Sequence, residues 1–404
     1  MRRFETAFGG GDTSAEYRTL LESVHAAFLE GRRSPARPRT VILQSWTRVR
    51  RAGVNPAVGG LPGEVPDAPA GSLPARPERV RDPSAMAGVV PLLRRHLDPL
   101  LDDDHTLLVI SDEKARVLDR LGGRGMSRYA DEIGFRPGLA WSERTVGTNA
   151  IGTALATGAP VQVHAAEHFC FAQQEWSCAA APVQDPRNGQ LLGVIDLSFL
   201  AGDAHPSAVS LVSSLARQAE LEFRDTHRRG LDRLRRATSV PGNGRWVLVD
   251  NWGWIADESA PGGRDRLALP DGLVDGACVL VEDLGPLEAS ATPGGWLLSA
   301  AASGRPDLDA PAVQLRTSPV RCEITVQSRD STWTRVLTGR RAQILACLAA
   351  HPRGLTAGEL AAAVYGSDGS AVAVRAEVHR IRRTIGGLIE TNPYRLAAGV
   401  SLLD

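Results

Sequence analysis

Lysine is almost absent from this chain of 404 residues, in which Lys114 is the one lysine among 46 basic side chains. A nucleotide-binding loop of the form G-x-x-x-x-G-K-[ST] needs a lysine to reach the β and γ phosphates. Lys114 lies in SDEKARVL with no glycine loop before it, so a P-loop ATPase is excluded. A bias this strong toward arginine, alanine and glycine is typical of a GC-rich bacterial genome.

Cysteines and long apolar runs are also scarce. The five cysteines are scattered and odd in number, which argues against a secreted disulfide framework and favours a reducing cytoplasm. No apolar segment follows Met1 as in a signal peptide, and no run approaches the roughly 18 residues of a membrane span. We therefore expect a soluble, cytoplasmic protein with no membrane partner, and its length predicts several domains.

The formal net charge of zero conceals an uneven distribution. Residues 1–60 carry ten arginines against five acidic residues, and residues 339–404 carry eight against five. Residues 87–225 instead carry twelve basic and eighteen acidic side chains. Only the two ends are therefore candidate nucleic-acid surfaces.

The N-terminal region, residues 14–54, is predicted to be helical. A capping-box pattern at Thr13 precedes a helix over 14–30, and a second amphipathic helix covers 40–52. Arg48 and Arg51 lie outside the apolar stripe of the second helix. Packing of this helix on the next domain is the favoured interpretation, and contact of these arginines with DNA is the alternative.

Residues 55–85 are rich in proline and glycine and predict a linker. The pattern becomes ordered over residues 86–225, with a strand at Thr106–Ser111 and a closing helix from Pro206 to about Arg236. Strands bracketed by helices indicate an α+β domain whose antiparallel sheet is covered on one side.

Four motifs in this region carry a family resemblance. ILQSWTRVRRAGVNP, ERTVGTNAIGTAL, WSCAAAPVQDP and LLGVIDLS resemble the sensory N-terminal half of bacterial acetoin and glycerol catabolism activators over roughly residues 15–225. The resemblance implies a helical lead-in and a GAF domain, with a six-stranded sheet, helices behind it and a small-molecule pocket on its other face. Those activators usually continue into an ATPase domain, which the lysine count excludes here.

The segment from Trp141 to Phe199 is the predicted pocket. Asn149 or Glu167 could hydrogen bond a small ligand, which the sequence does not identify. An empty pocket in a domain that serves only dimerisation is the alternative. The predicted ligand-binding residues are Trp141, Thr145, Asn149, His168, Phe169, Cys170, Trp176 and Cys178.

Metal binding and thiol chemistry are weaker interpretations of the same segment. His164, His168, Cys170 and Cys178 lie within fifteen residues, but no pair has the spacing of a structural zinc site. We expect no metal, no cofactor and no catalytic residue. A GAF-based thiol redox enzyme or redox sensor that uses Cys170 and Cys178 is the alternative from another functional class.

Residues 226–239 predict a basic linker helix, and residues 240–330 a small β-rich connector domain for coupling or dimer contact. A hairpin turns at Asn251–Gly253. Further strands are predicted at Ala277–Val281, Gly295–Ser299 and Arg321–Val326.

Residues 335–404 are predicted to form three helices followed by two strands. The helices are predicted at Gly339–His351, after the capping residue Thr356, and from about Ser370. This order resembles the winged helix-turn-helix of response-regulator output domains.

The third helix of this region places Val374, Val378, Ile381 and Ile385 on one buried stripe. Arginines beside and opposite this stripe suit a DNA major groove, and a solvated arginine face is the alternative. The predicted DNA-binding residues are Arg375, His379, Arg382 and Arg383 on the helix and Arg395 on the hairpin.

The sequence as a whole predicts an α+β multidomain, one-component bacterial transcriptional regulator. Its GAF domain would sense a small molecule and control the binding of double-stranded DNA by a homodimer. A signalling scaffold that does not bind DNA is a further alternative.

Overall fold

The computed structural model describes residues 15–57, 85–101, 104–260, 262–270, 272–281, 284–300, 312–318, 320–327, 332–366, 369–397 and 400–403. The chain divides into two compact units, Met1–Asp225 and Thr226–Asp404. Thr13 and most of the predicted linker lie outside the described residues. Among the described residues, no helix combines the length and the hydropathy that a membrane crossing requires.

The first unit has the predicted mixture of helices and antiparallel strands. The helices expected at 14–30, 40–52 and 206–236 and the strand expected at Thr106–Ser111 are confirmed to within a few residues. In chain order the elements are α1 (Ala15–Glu30), α2 (Thr40–Arg51), α3 (Val90–Leu101), β1 (Thr106–Asp112), β2 (Val117–Gly122), α4 (Arg124–Glu132), α5 (Glu143–Val146), α6 (Ala150–Thr157), β3 (Val161–His164), β4 (Trp176–Gln184), β5 (Leu191–Leu200) and α7 (Ala208–Ala237), which continues into the second unit.

The described strands of the first unit form one antiparallel sheet in the order β2-β1-β5-β4-β3. Alternate residues of β1 enter two different cores. Leu107 and Val109 pack with residues of α2 and α6, whereas Leu108 and Ile110 pack with residues of α3 and α7. The expected covering of only one face is therefore wrong. Every residue of β1 is buried, because both faces of the sheet are covered.

Helix α2 is fixed to the first unit by polar contacts around one buried carboxylate. Arg48 donates from Nε and Nη2 to the two oxygens of Glu143, each at 2.7 Å. The hydroxyls of Ser45 and Thr153 donate to Glu143 Oε1 at 2.6 and 2.9 Å. Since Arg48 is occupied by this carboxylate, the geometry favours the packing interpretation of α2 over DNA contact by Arg48.

The described residues of the second unit form the last part of α7 and three sheets. In chain order its other elements are β6 (Trp246–Asp250), β7 (Ile255–Glu258), β8 (Cys278–Val281), β9 (Gly285–Thr292), β10 (Gly295–Ser299), β11 (Ala312–Thr317), β12 (Arg321–Gln327), β13 (Thr332–Thr338), α8 (Arg340–Ala349), α9 (Ala357–Tyr365), α10 (Ala371–Ile385), β14 (Ile389–Glu390), β15 (Arg395–Leu396) and β16 (Val400–Leu403).

The first sheet of this unit, β7-β6-β10-β9-β8, corresponds to the predicted connector. The hairpin around Asn251–Gly253 is confirmed, because Asp250 Oδ1 accepts the backbone N–H groups of Trp252 and Trp254 at 2.8 Å and closes the turn. Strands are also confirmed where they were expected near 277–281, 295–299 and 321–326. Strands β9, β11 and β13 were not predicted.

The second sheet has the order β13-β12-β11-β16, and its last pairing, between β11 and β16, is parallel. Its buried residues share one core with α8, α9 and α10. The predicted boundary between connector and output domain, at 330–335, falls inside this sheet, where β12 and β13 are paired. Strands β14 and β15 form a separate two-stranded hairpin after α10.

Candidate functional site

Helix α6 begins beside the predicted pocket, and its N-terminal capping residue is Asn149. Asn149 Oδ1 accepts the Gly152 N–H at 2.9 Å, and Nδ2 donates to the Gly147 carbonyl at 2.9 Å. The amide is therefore used by the backbone, as is common for asparagine at helix starts. Each of these two atoms makes one hydrogen bond to the backbone, and a role of Asn149 toward a ligand stays a prediction.

Glu167 is also occupied. Arg39 donates to both of its oxygens, at 2.7 Å from Nε and 2.5 Å from Nη2. The His164 backbone N–H donates to Glu167 Oε2 at 3.0 Å. Glu167 thus joins the start of α2 to the loop after β3 and is not free for a ligand.

A cavity lies between α6 and the strands β4 and β5. It encloses about 270 Å³ of non-atom space, counted with the space that opens to solvent. Its lining residues are Ile133, Phe135, Trp141, Asn149, Ala150, Ile151, His168, Gln173, Trp176, Cys178 and Asp196.

Five predicted residues, Trp141, Asn149, His168, Trp176 and Cys178, line this cavity, and three do not. Thr145 donates its hydroxyl to the Ala140 carbonyl at 3.0 Å and stays in its own loop. The Phe169 ring packs edge-on against His25 at 5.9 Å. Cys170 lies against Gly147, where an added Cβ would come within 3.0 Å of its sulfur. The loop backbone turns these three side chains away from the cavity.

Gln173 and Asp196 line the cavity but were not predicted. Asp196 is an acidic residue within the apolar strand LLGVIDLS, and an acidic residue in a buried strand is an informative exception. That signal was available in the sequence. Gln173 lies in a 3₁₀ turn before β4, where no periodic pattern distinguishes it.

Three polar atoms of the lining have no hydrogen-bond partner among the described residues: Trp176 Nε1, Gln173 Oε1 and Asp196 Oδ1. Each of these side chains is at most 1% exposed. Gln173 is oriented by its Nε2, which donates to the Val146 carbonyl at 2.9 Å. Asp196 Oδ2 accepts from the Ser198 hydroxyl at 2.6 Å. Buried polar groups are normally paired, so one donor and two acceptors of this cavity are suited to a polar guest.

Burial controls the ionisation of the lining. It lowers the pKa of His168 to about 4, and His168 Nδ1 lies 3.0 Å from the Ala165 carbonyl. It raises the pKa of Asp196 to about 7. No described lining residue is a lysine or arginine, and His168 is neutral at pH 7. The cavity therefore offers no cation to an anionic ligand.

The two cysteines of this region are protonated thiols. Burial, followed by the nearby Asp196 carboxylate, raises the pKa of Cys178 well above its ordinary value, and burial raises the pKa of Cys170 to about 12. A nucleophilic or redox-active cysteine requires thiolate character, which an apolar environment suppresses. Within the described part of the chain, there is no group of three or more His, Cys, Asp or Glu side chains that could hold a metal ion.

The candidate DNA-binding residues of α10 have different surroundings. The predicted stripe of Val374, Val378, Ile381 and Ile385 is buried, as expected. Arg375 and His379 are exposed, whereas Arg382 is half-buried. The Arg383 side chain lies outside the described part of the structure. On the hairpin, the exposed Arg395 forms an ion pair with the buried Glu390.

Comparison with known proteins gives a family match and several relatives. The family model described as "MimR, N-terminal domain" matches residues 26–221. The "Uncharacterized 47.3 kDa protein in thcA 5'region" of Rhodococcus erythropolis is 29% identical over 96% of this chain and 71% of its own length.

Two relatives have named roles. The "Acetoin dehydrogenase operon transcriptional activator AcoR" of Bacillus subtilis is 32% identical over 58% of this chain and 38% of its own length. The "Propane 2-monooxygenase operon transcriptional activator MimR" of Mycolicibacterium smegmatis is 32% identical over 45% of this chain and 29% of its own length. The chain thus matches well under half of each named activator.

The predicted resemblance to the sensory half of acetoin-type activators is confirmed by these relatives, which are named as transcriptional activators and not as enzymes. Residues 26–221 match a domain family named for the N-terminal domain of one such activator.

Proposed function

We propose that the chain is a one-component transcriptional regulator. Residues 86–225 form a GAF sensor domain for a small molecule, and the region that contains residues 335–404 is a winged helix-turn-helix that binds double-stranded DNA as part of a homodimer. The observation that carries the proposal is the cavity with three unpartnered polar atoms in a domain that matches a family of activator N-terminal domains.

The cavity supports a small, uncharged effector with both a hydrogen-bond acceptor and a donor. Trp176 Nε1 needs an acceptor, and Gln173 Oε1 needs a donor. The apolar remainder of the lining suits short carbon chains. An anion would lose its hydration without gaining a cation in this site.

The DNA-binding half of the proposal is supported by α10. This helix follows α8 and α9, precedes the β14–β15 hairpin and presents Arg375 and His379 to solvent. A recognition helix in a major groove contacts bases and phosphates from such a face.

Contacts within the second unit support a route for coupling. In the last part of α7, Leu234 packs with Trp246 and Leu248 of the connector sheet. In β8, an edge strand of that sheet, the Leu280 carbonyl accepts the backbone N–H of Gly387, just after α10, at 2.8 Å. We infer that the connector transmits movement of α7 to the recognition helix, and that the effector shifts this equilibrium.

The proposal is tested by DNA binding of an Arg375→Ala variant. The probe is the DNA upstream of the protein's own gene, in a mobility-shift titration at several salt concentrations. Loss of a base contact would weaken binding by roughly 1–3 kcal/mol, and loss of a phosphate contact would reduce the salt slope by about 1.

The matched control is Arg217→Ala, which removes an exposed arginine from α7 in the first unit. We expect this variant to bind like the parent protein. Equal affinity and equal salt dependence of the parent and Arg375→Ala would contradict the proposed role of α10. A parent protein that binds no upstream DNA would support the scaffold alternative.

A further inference from the structure

An apolar side chain stands at the start of the proposed recognition helix. Val372, the second residue of α10, is 70% exposed. At about 100° per residue, Arg375, Ala376 and His379 lie within roughly 60° of Val372 around the helix axis. The buried Val374 lies on the opposite side. The solvent face of α10 therefore combines two small apolar residues with two groups that can donate hydrogen bonds.

Glu377 of α10 is engaged both within its own helix and with α8. Glu377 forms an ion pair with Arg380 of the same helix. It also accepts a hydrogen bond from Arg341 of α8 at 3.2 Å. At about 100° per residue, Glu377 lies roughly 140° from Val372 around the helix axis, so it is on another side of α10. Its contacts pair Arg380 and Arg341 within the molecule and leave the Val372 face accessible.

The major groove offers one apolar group on its floor, the C5 methyl of thymine. Valine or alanine can pack against this methyl, while an arginine one turn further along can reach O6 and N7 of a guanine. The N-terminal residues of a recognition helix are those that meet base edges. Val372 has this position and this chemistry.

We propose that Val372 and Ala376 form a methyl-reading face that recognises thymine in each half-site, next to the base pair contacted by Arg375. This specificity role rests on the proposed DNA-binding function and deepens it. The occupant is the edge of a T·A pair, and a second copy of the chain on the same face is an outcome that the experiment separates.

The experiment tests whether one side chain and one methyl group interact. DNA affinity is measured when each of them is removed alone and when both are removed together. The full chain is footprinted on the DNA upstream of its own gene, and each protected thymine is replaced in turn by deoxyuridine, which lacks only the methyl. Burial of one methyl is worth about 0.8 kcal/mol, or about fourfold in affinity. We expect one thymine per half-site whose replacement weakens binding of the parent protein by about this factor.

The variant Val372→Ser should bind unmodified DNA more weakly and should no longer distinguish thymine from deoxyuridine at that position. The matched control is Val320→Ser, which removes a valine that is 72% exposed outside α10 and should keep the discrimination. If the replacement of thymine by deoxyuridine weakens DNA binding equally for the parent protein and for Val372→Ser, the inference is overturned and the DNA-binding proposal stays intact.

Two other outcomes also count against the inference. Sedimentation that shows a smaller oligomer for Val372→Ser would identify the face as a contact between copies. Absence of any footprint or shift with the parent protein would overturn the DNA-binding proposal and the methyl-reading face together.

Discussion

Substitution of Glu143 by glutamine tests whether α2 is part of the sensor domain. Glu143 is 7% exposed and accepts four hydrogen bonds, two from Arg48 and one each from Ser45 and Thr153. Glutamine keeps the shape but replaces one oxygen by an N–H₂ donor. That donor would face the donors of Arg48, and the other contacts would lose their charged acceptor.

The expected cost follows from the burial of each partner. Ser45 and Thr153 are fully buried, so each would lose about 1 kcal/mol when a charged acceptor becomes neutral. The Arg48 side chain is 39% exposed and can regain water, so its loss is discounted to about 1 kcal/mol. The total of about 3 kcal/mol corresponds to a fall in Tm of roughly 6–12 °C for a unit of this size.

The assay is differential scanning calorimetry, in which the transition of the first unit is followed. The matched control is Glu30→Gln, which removes the exposed ion pair between Glu30 and Arg32 and should leave Tm unchanged. Equal transitions for the two variants would refute the inference that α2 is held by Glu143. A loss of DNA affinity without a change in Tm for Arg48→Ala would support the alternative interpretation of α2.

Two further predictions concern pH and the effector. Burial lowers the pKa of His25, His164 and His168 to about 4, so below pH 6.5 the unfolded chain binds protons that the folded chain does not, and stability is lost as pH falls. Asp196, with its pKa raised to about 7, has the opposite sign, so stability should fall by a net of roughly 1.8 kcal/mol between pH 6.5 and 5.5; urea titrations that show flat stability there would contradict this. In a thermal-shift screen of short-chain metabolites, an uncharged compound that binds should stabilise the protein by about 1.4 kcal/mol at tenfold its Kd, whereas anions such as lactate should not. Asp196→Asn should lose the response to that compound without a lower Tm in the absence of ligand, and stabilisation by anions to the same degree as by uncharged compounds would refute the uncharged-effector proposal.

Local patterns were sufficient to predict most of the helices and several strands. The stripe of α10 and the capping box of Thr356 with Glu359 depend on residues three or four positions apart, and both are present in the structure. The hydrophobic period of a helix and its capping residues both depend on residues that are close in the chain, so a single sequence can reveal them. The hairpin at Asn251–Gly253 could be predicted for the same reason.

Only some of the residues that line the cavity could be predicted from the sequence. Trp141, His168 and Trp176 were expected there because they cluster with other polar and aromatic residues. Thr145 and Phe169 belong to the same cluster but point elsewhere, since the direction of a loop side chain depends on backbone angles that composition does not encode. Asp196 was not predicted, although an acidic residue within an apolar strand is a signal that the sequence contains.

The boundary between the connector and the output domain could not be predicted from the sequence, for a different reason. Strand β11 pairs with β16 through Val313 and Val400, positions 400 − 313 = 87 residues apart. Pairing over this distance leaves no periodic trace in either segment. Residues 312–327 were therefore assigned to the connector, although their strands share a core with the residues of α8.

The parallel pairing of β11 with β16 has a consequence for the order of folding. Until residues 400–403 arrive, one edge of β11 exposes its backbone hydrogen-bonding groups, and an open edge is a template for pairing with other chains. Contacts of such long sequence separation form slowly, because loop closure precedes the gain from pairing. Docking of β16 thus moves this edge of the sheet from β11 to β16, and the hydrogen bonds of β11 are completed only when residues 400–403 have paired with it.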